Sequence, residues 1–544
     1  MSRRRIRHLV AQLGVAAPKS MLDVENHASA RLRRSSLICT TIWRPGADTG
    51  RRRARPAALL HGALIALAVC GLSTAAFAQD PDTIKNAAGA PADEKLGSLM
   101  GDASFGQIDG DWYTTVNLGL DFDFGMIGFG VQVPLRLKIY DADPQNDEYG
   151  GVLRKEDWDE WTDYLKILRY FRYGHKGELV FLQVGDLPGA TLGHGTIVNR
   201  YYNNTDLDHY KMGIQLDVNT KYGGVETLAN NGFIANLLGF RGYVRPWSFI
   251  DAESYANNLA VGFSVVSDYD APYCLADASG SCRSDFGDDA SFDGDGNLNV
   301  AEHKAATIIG GDIEFKVLDL SWITLTPYTD LNGIVDAGIG YHLGIMSIFH
   351  IPVINLDLQT RVEYRYFQSD YIPAYFDSYY EIQKFGYPFK DERGAFGPPG
   401  QEVSNRPKRR AIEELGWQDK MLNGYYAELA FNVMGWFILG AAYDDYDGPY
   451  NSNLRMYLTV PALQIVQFGA YYYRHNFEGA SDAFEFDDKS LFLVEARYQI
   501  TSFLYAIGQY WRIWRLDTDV ASSSYGEYVP VDDWSLGVGV MYTF

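Results

Sequence analysis

The densest chemistry in the chain lies in one twelve-residue stretch, SFDGDGNLNVAE, from Ser291 to Glu302. Ser291, Asp293, Asp295, Asn297, Asn299 and Glu302 put an oxygen at nearly every second position around Gly296. Hard cations such as Ca2+ are held by a ring of oxygens folded about a sharp turn. Calcium binding is therefore one expectation, and an acidic, solvated, glycine-rich loop is the other. Nearby, Cys274 and Cys282 are close enough in sequence to bridge one another in an oxidising compartment.

A second set of candidates is defined by alternation. Arg136 and Lys138 sit between the apolar residues of Ile127–Ile139, and Asp357, Arg361, Glu363 and Arg365 sit between those of Leu356–Tyr366. Lys211, Asp217, Glu495 and Arg497 fall in further stretches of this kind. Period-two patterning places such charges on one face of an extended strand and the apolar residues on the other. If the charged face lines a pore, it sets the field that selects solutes. If strands of opposite charge are neighbours, the same residues brace the wall as cross-strand pairs.

Catalysis finds little support. The histidines after residue 78 (His175, His194, His209, His303, His342, His350 and His475) are scattered, with no nucleophile and orienting acid beside them. His194 and His209 are the one pair worth testing. Their segment, LGHGTIVNRYYNN (Leu192–Asn204), could contact a sugar and is expected chiefly to order a loop.

The elements that position these residues are long alternating strands. Trp112–Phe124, Ile127–Ile139, Leu356–Tyr366 and the terminal Trp534–Phe544 all show the pattern. Several reach or exceed the ~9–11 residues of a tilted membrane strand, against about 5–6 for ordinary strands. Aromatic residues near strand ends (Trp112, Tyr140, Tyr164, Tyr173, Tyr210, Tyr443) fit the girdles of a membrane barrel. Short turns are expected at Gly125–Met126, Gly174–Gly177, Tyr222–Gly223, Gly435 and Thr501–Ser502. Long loops are expected at 141–163, 187–207, 268–305, 368–421 and 518–530. The loop 368–421, with Pro398–Pro399 and the basic run Lys408–Arg410, is long enough either to fold inward as a constriction or to cover the mouth.

Arg51, Arg52, Arg53 and Arg55, the apolar run Ala57–Leu72 and the Ala76-Phe77-Ala78 triplet read as a secretory signal cleaved before Gln79. Residues 1–78 are thus assigned to an extension plus signal peptide, 79–96 to a periplasmic segment and 97–544 to the folded unit, with a weak first strand near Leu96–Ile108. The formal net charge is −22 and becomes more negative without the basic prefix, which disfavours nucleic acid as a partner. No stretch after residue 78 reaches the roughly 18 apolar residues of a membrane helix. A chain that spans a membrane without such a helix must close into a barrel.

The terminal strand, ending on Tyr542 and Phe544, resembles the closing signature of bacterial outer-membrane β-barrels. That resemblance implies an all-β fold: one transmembrane antiparallel barrel of about 18–20 strands, with long external loops and short periplasmic turns. It implies location in the Gram-negative outer membrane, with lipid, lipopolysaccharide, the barrel-assembly machinery and small solutes as partners, and a homo-oligomer as one state. The expected activity is porin-like passive diffusion of small hydrophilic solutes or ions. A closed or plugged barrel acting in surface binding or adhesion is the alternative. The residues between Gln79 and Asp111 are too few for a folded plug domain of the siderophore-transporter type.

The Ser291–Glu302 stretch resembles the calcium loop of EF-hand and dockerin-type proteins. By that resemblance Ser291, Asp293 and Asp295 offer side-chain oxygens, Asn297 its carbonyl, Asn299 a direct or water-mediated contact, and Glu302 a bidentate carboxylate. Ser291 replaces the usual first Asp, and residues 279–290 do not read as a flanking helix. An affinity of about 10⁻⁴–10⁻³ M, that of extracellular modules, is expected.

Overall fold

The computed structural model describes residues 97–543, apart from 109, 142–151, 155–156, 159–160, 206–208, 252, 284–289, 294–295, 354, 388–405, 417–418, 434–435, 449–450, 464–465, 480, 488 and 519–521. The segments assigned above to residues 1–78 and 79–96, together with Phe544, lie outside the described residues.

Twenty antiparallel strands follow one another around a closed wall. They are β1 (Gly97–Ile108), β2 (Asp111–Asp123), β3 (Ile127–Tyr140), β4 (Leu168–Tyr173), β5 (Val180–Gly185), β6 (Gly213–Thr220), β7 (Gly223–Ala229), β8 (Leu237–Val244), β9 (Leu259–Asp268) and β10 (Ala306–Phe315). The second half comprises β11 (Ile323–Ile334), β12 (Ile339–Ile351), β13 (Leu356–Gln368), β14 (Met421–Val433), β15 (Phe437–Tyr446), β16 (Ser452–Leu463), β17 (Val466–Phe477), β18 (Ser490–Gln499), β19 (Leu504–Leu516) and β20 (Tyr528–Thr543). A short piece, Leu318–Leu320, extends the hairpin between β10 and β11.

Closure is made by β1 against β20, in register from Ser98↔Thr543 to Gln107↔Trp534. Hydrogen bonding around the whole circumference leaves no free edge, which is how a barrel satisfies its backbone without water. The weak first strand expected near Leu96–Ile108 is therefore one half of the closing seam.

The pleat sorts the side chains as alternation requires. Leu118, Leu343, Ile345, Val362 and Tyr364 point outward and are about half exposed. Asp217, Arg361, Glu363 and Arg365 point inward and are buried. Phe105, Trp112 and Trp534 form an outward aromatic cluster over the seam, with ring centroids 5.0–6.4 Å apart. Tyr210 departs from its expected place in a girdle: it is interior, its hydroxyl donating to Leu168 O at 3.2 Å.

All the longest connections (141–167, 186–212, 269–305 and 369–420) leave from one rim, and the opposite rim carries most of the short turns. Two of the long loops, 186–212 and 369–420, turn back into the barrel. They pair with each other through a short parallel ladder, Val198–Asn199 against Phe376–Asp377. Leu187, Val198, Tyr201, Tyr371, Tyr375, Phe376, Tyr380 and Ile412 then join wall residues Leu228, Leu237, Val266, Ile308 and Phe367 in one apolar core. This core occupies the lumen on the side of β7–β13, where a water-filled pore of the general porin type would be open. Its apolar cost of exposure, at ~25 cal/mol per Å², is what draws loops so rich in Tyr and Phe inward.

Candidate functional site

The interior charges predicted from alternation all sit on the inward face of their strands, except Lys211, which precedes β6 within the first inward loop. On β3, Arg136 pairs with Asp157, and Lys138 lies 2.8 Å from Asp111 and 3.0 Å from Asp141. On β6, Asp217 faces Lys176 at 3.7 Å. On β13, Asp357 pairs with His350. On β18, Glu495 and Arg497 meet at 3.1 Å.

Glu363 is the hub of the densest network. It takes hydrogen bonds from Tyr328 (2.6 Å), Arg361 (3.0 Å), Arg365 and His342 (3.0 Å). Its two arginines lie on one face of β13 because they are two residues either side of it. Both guanidinium groups also stack on the ring of Tyr426, at 4.6 and 4.7 Å. A buried carboxylate survives only when charge partners and hydrogen bonds replace the lost water.

The first inward loop fastens to this wall through its HGTIVN core. Gly193 donates its N–H to Glu226 at 2.7 Å. His194 is held on both ring nitrogens, Nδ1 to Asp330 at 2.8 Å and Nε2 to Glu314 at 3.0 Å, and stacks on Tyr328 at 4.1 Å. Burial alone would lower its pKa, but hydrogen bonds to Asp330 and Glu314 and their negative charge raise it to about 9. With both nitrogens occupied, His194 is a clamp, and the pairing with His209 considered from sequence has no free atom on which to act. Thr196 donates to the second oxygen of Asp330 at 2.6 Å. Gly195 adopts φ +74°, and a Cβ there would come within 2.9 Å of Arg361. Arg200 pairs with Glu428 of β14. The segment orders a loop, and does so inside the barrel.

The second inward loop crosses the bore. Tyr371 bonds His342 on β12 at 2.9 Å, Tyr379 bonds Tyr471 on β17 at 3.0 Å, and Tyr380 bonds Asp268 at the end of β9 at 2.8 Å. Glu381, in a single helical turn (Tyr380–Gln383), accepts from Lys211 (2.5 Å), Lys384 (2.8 Å) and Tyr201. Burial would raise the Glu381 pKa, but the two lysines hold it well below the usual carboxylate range. The basic run Lys408–Arg410 begins helix α1 (Lys408–Leu415). Lys408 donates to Tyr375 O and Gln383 at 2.8 and 3.0 Å, and Arg409 to Ala305 O at 3.0 Å. Pro398–Pro399 lies outside the described residues.

The sequence marked this loop by its prolines and basic run. The residues that seat it are instead the aromatics Tyr371, Tyr375, Phe376, Tyr379 and Tyr380. An aromatic density this high in a connection was the available signal.

Beside the two loops a cavity of about 310 Å³ remains, bounded by β1–β3 and β18–β20. Asn117, Gln132, Arg497, Tyr505, Gln509 and Trp511 face it from the wall, and Tyr202, Asn204, Tyr210 and Tyr379 from the loops. It mixes aromatic surface with amides, as small-solute sites do.

Ser291–Glu302 lies in the loop 269–305. It folds as a hairpin: the Asp293 N–H donates to Asn297 O at 2.9 Å, and the Asn297 N–H reaches the Asp293 carboxylate at 2.8 Å. Asn299 donates to Ser291 Oγ at 2.8 Å, and Gly296 turns with φ +82°. Glu302 sits opposite Cys274 in the ladder of Pro272–Leu275 with Val300–His303. Asp295 lies outside the described residues. Cys274 and Cys282 are disulfide-bonded, and Tyr542 pairs with Leu99 across the seam.

No family model matches the chain, and no curated protein does either. Among solved structures it is similar to OccK11 (OpdR) of Pseudomonas aeruginosa, with 9 % identity, 82 % of this chain and 96 % of that chain covered, and a TM-score of 0.27. It is similar to OccAB1 of Acinetobacter baumannii at 10 % identity, 82 % and 96 % coverage and TM-score 0.28. It is also similar to Wzi of Escherichia coli, described as an outer-membrane carbohydrate-binding β-barrel involved in group 1 capsule assembly, at 10 % identity, 83 % and 85 % coverage and TM-score 0.32. Scores this low carry neither family nor activity over to this chain.

Proposed function

We propose that this protein is a porin-like channel of the Gram-negative outer membrane, passing small hydrophilic solutes by passive diffusion through a bore narrowed by two inward loops. The observation that supports it is the pairing of those loops inside a wall with an apolar exterior and a charged interior, leaving the cavity along β1–β3 and β18–β20. Selection would follow from the size of that passage and the field of Arg136, Arg497 and their neighbours. No step requires an energy source or a cofactor.

The packed core between loop and wall favours a second reading, a closed barrel whose rim loops bind a surface partner. Planar-bilayer recording separates the two. The intact protein is expected to give small, discrete conductance steps. Replacing residues 371–416 with a short Gly/Ser linker should raise them severalfold. Silence of both proteins, each shown to be folded by heat-modifiable gel migration, would favour the closed barrel.

Calcium at Ser291–Glu302 is part of the same proposal. The oxygen-rich sequence and the turn at Gly296 support it, and its role would be to stiffen a rim loop already tied by the Cys274–Cys282 bridge.

A further inference from the structure

A second, smaller cavity of about 40 Å³ lies between the second inward loop and the ends of β13, β15, β16 and β17. Three donors that line it have no hydrogen-bond acceptor: Asn199 Nδ2, Arg365 Nη2 and Arg455 Nη1. Their residues are 2, 1 and 7 % exposed, so water from outside does not relieve them. Leaving such donors unmade costs about 1–3 kcal/mol each, more when charged. Three on one cavity call for a shared acceptor.

The two carboxylates that also line it, Asp377 and Asp444, are each bonded to other donors through Oδ1. Asp377 takes the Tyr379 N–H at 3.0 Å and faces another nitrogen of Arg455 at 3.6 Å. Asp444 takes Tyr446 OH at 3.1 Å and the Asn453 amide at 2.6 Å. Arg365 already spends its Nε on Glu363. Lys408 also lines the cavity, and its two bonds go to neutral oxygens. Arg365, Arg455 and Lys408 thus face Asp377 and Asp444, and Glu363 balances Arg365 from outside the cavity. A cation would find donors, whereas an anion finds acceptor-seeking N–H groups on three sides. One water needs only about 10–15 Å³ of such space, so a monatomic anion fits and a large solute does not.

We propose that this cavity binds one small inorganic anion of chloride size, held by Asn199, Arg365 and Arg455, and that the ion ties the first inward loop to the wall. Asn199 belongs to the first loop and the two arginines to β13 and β16, so one ion joins all three. Burial pushes the Lys408 pKa down to about 8, with Asp377 only partly opposing it. A bound anion would favour its charged form. The proposal is independent of whether the barrel conducts.

Crystals of the full chain grown with bromide replacing chloride should show an anomalous peak within hydrogen-bonding reach of Arg365 Nη2 and Arg455 Nη1; featureless anomalous density there overturns it. In detergent solution, chloride should raise the unfolding midpoint saturably against gluconate at equal ionic strength. Arg455→Gln should weaken the apparent chloride affinity at least tenfold. Asn199→Ala, which removes one neutral donor, should weaken it severalfold and serves should the arginine variant fail to fold. Equal responses to both salts, or an unchanged chloride response in both variants, overturn the proposal.

Discussion

His194 Nδ1 lies 2.8 Å from Asp330 Oδ1 across 136 residues of chain, joining the first inward loop to strand β11. The imidazolium is the charged form that this contact stabilises. With the folded pKa near 9 and an unfolded value of about 6.5, the contribution is fully present below pH ~6.5 and is lost as pH rises through 9. Unfolding midpoints measured from pH 6 to 9 should fall across that window. His194→Gln should flatten the fall and cost on the order of 2 kcal/mol at pH 6. A slope unchanged in the variant would remove His194 from this role.

Glu363→Gln should be among the most damaging single changes in the wall. It leaves Arg361, Arg365 and His342 with reduced negative charge between them. Breaking a buried pair of this kind costs about 3–5 kcal/mol. Urea unfolding in detergent reads the loss directly.

Gly195→Ala tests the seating of the first loop. The residue has φ +74°, and its added methyl would meet Arg361 and Asn199 at 2.9 Å. A cost of about 1–3 kcal/mol follows from the backbone conformation alone. Hydrogen exchange should speed up in residues 192–204 more than in β11–β13, and conductance should become noisier if the loop helps set the bore.

Calcium should protect the 269–305 loop. With about millimolar Ca2+, limited proteolysis there should slow, and a chelator should reverse the effect. Asp293→Asn and Glu302→Gln should each abolish the difference. Equal cleavage with ion and with chelator would leave the Asp293–Asn297 hairpin as an apo-stable turn.

The wall was legible because a closed barrel with unlike inner and outer faces imposes a local code. In β13 each residue's neighbours decide its face, so Arg361, Glu363 and Arg365 could be placed inside from sequence alone. The number of strands was bounded for the same reason, and the weak first strand expected near Leu96–Ile108 stands as β1. The filling of the lumen was less legible because it is set by long-range contacts. Nothing near Gly193 announces that Glu226 will accept its N–H, and nothing near Tyr379 announces Tyr471. The loop 369–420 could be seen as long enough to fold inward. Which residues would anchor it depended on apolar area finding apolar area at distances of about a hundred residues.

The seam between β1 and β20 has a bearing on biogenesis. Until the last sixteen residues of β20 have been made and placed, two ribbons of unsatisfied amides face hydrocarbon, each group at a cost of several kcal/mol. On the proposed outer-membrane reading, insertion would be templated by a surface that caps both ribbons together and releases them as they zip. Truncating even a few carboxyl-terminal residues should strand the nascent chain on that template and leave the rest of the polypeptide open to proteases.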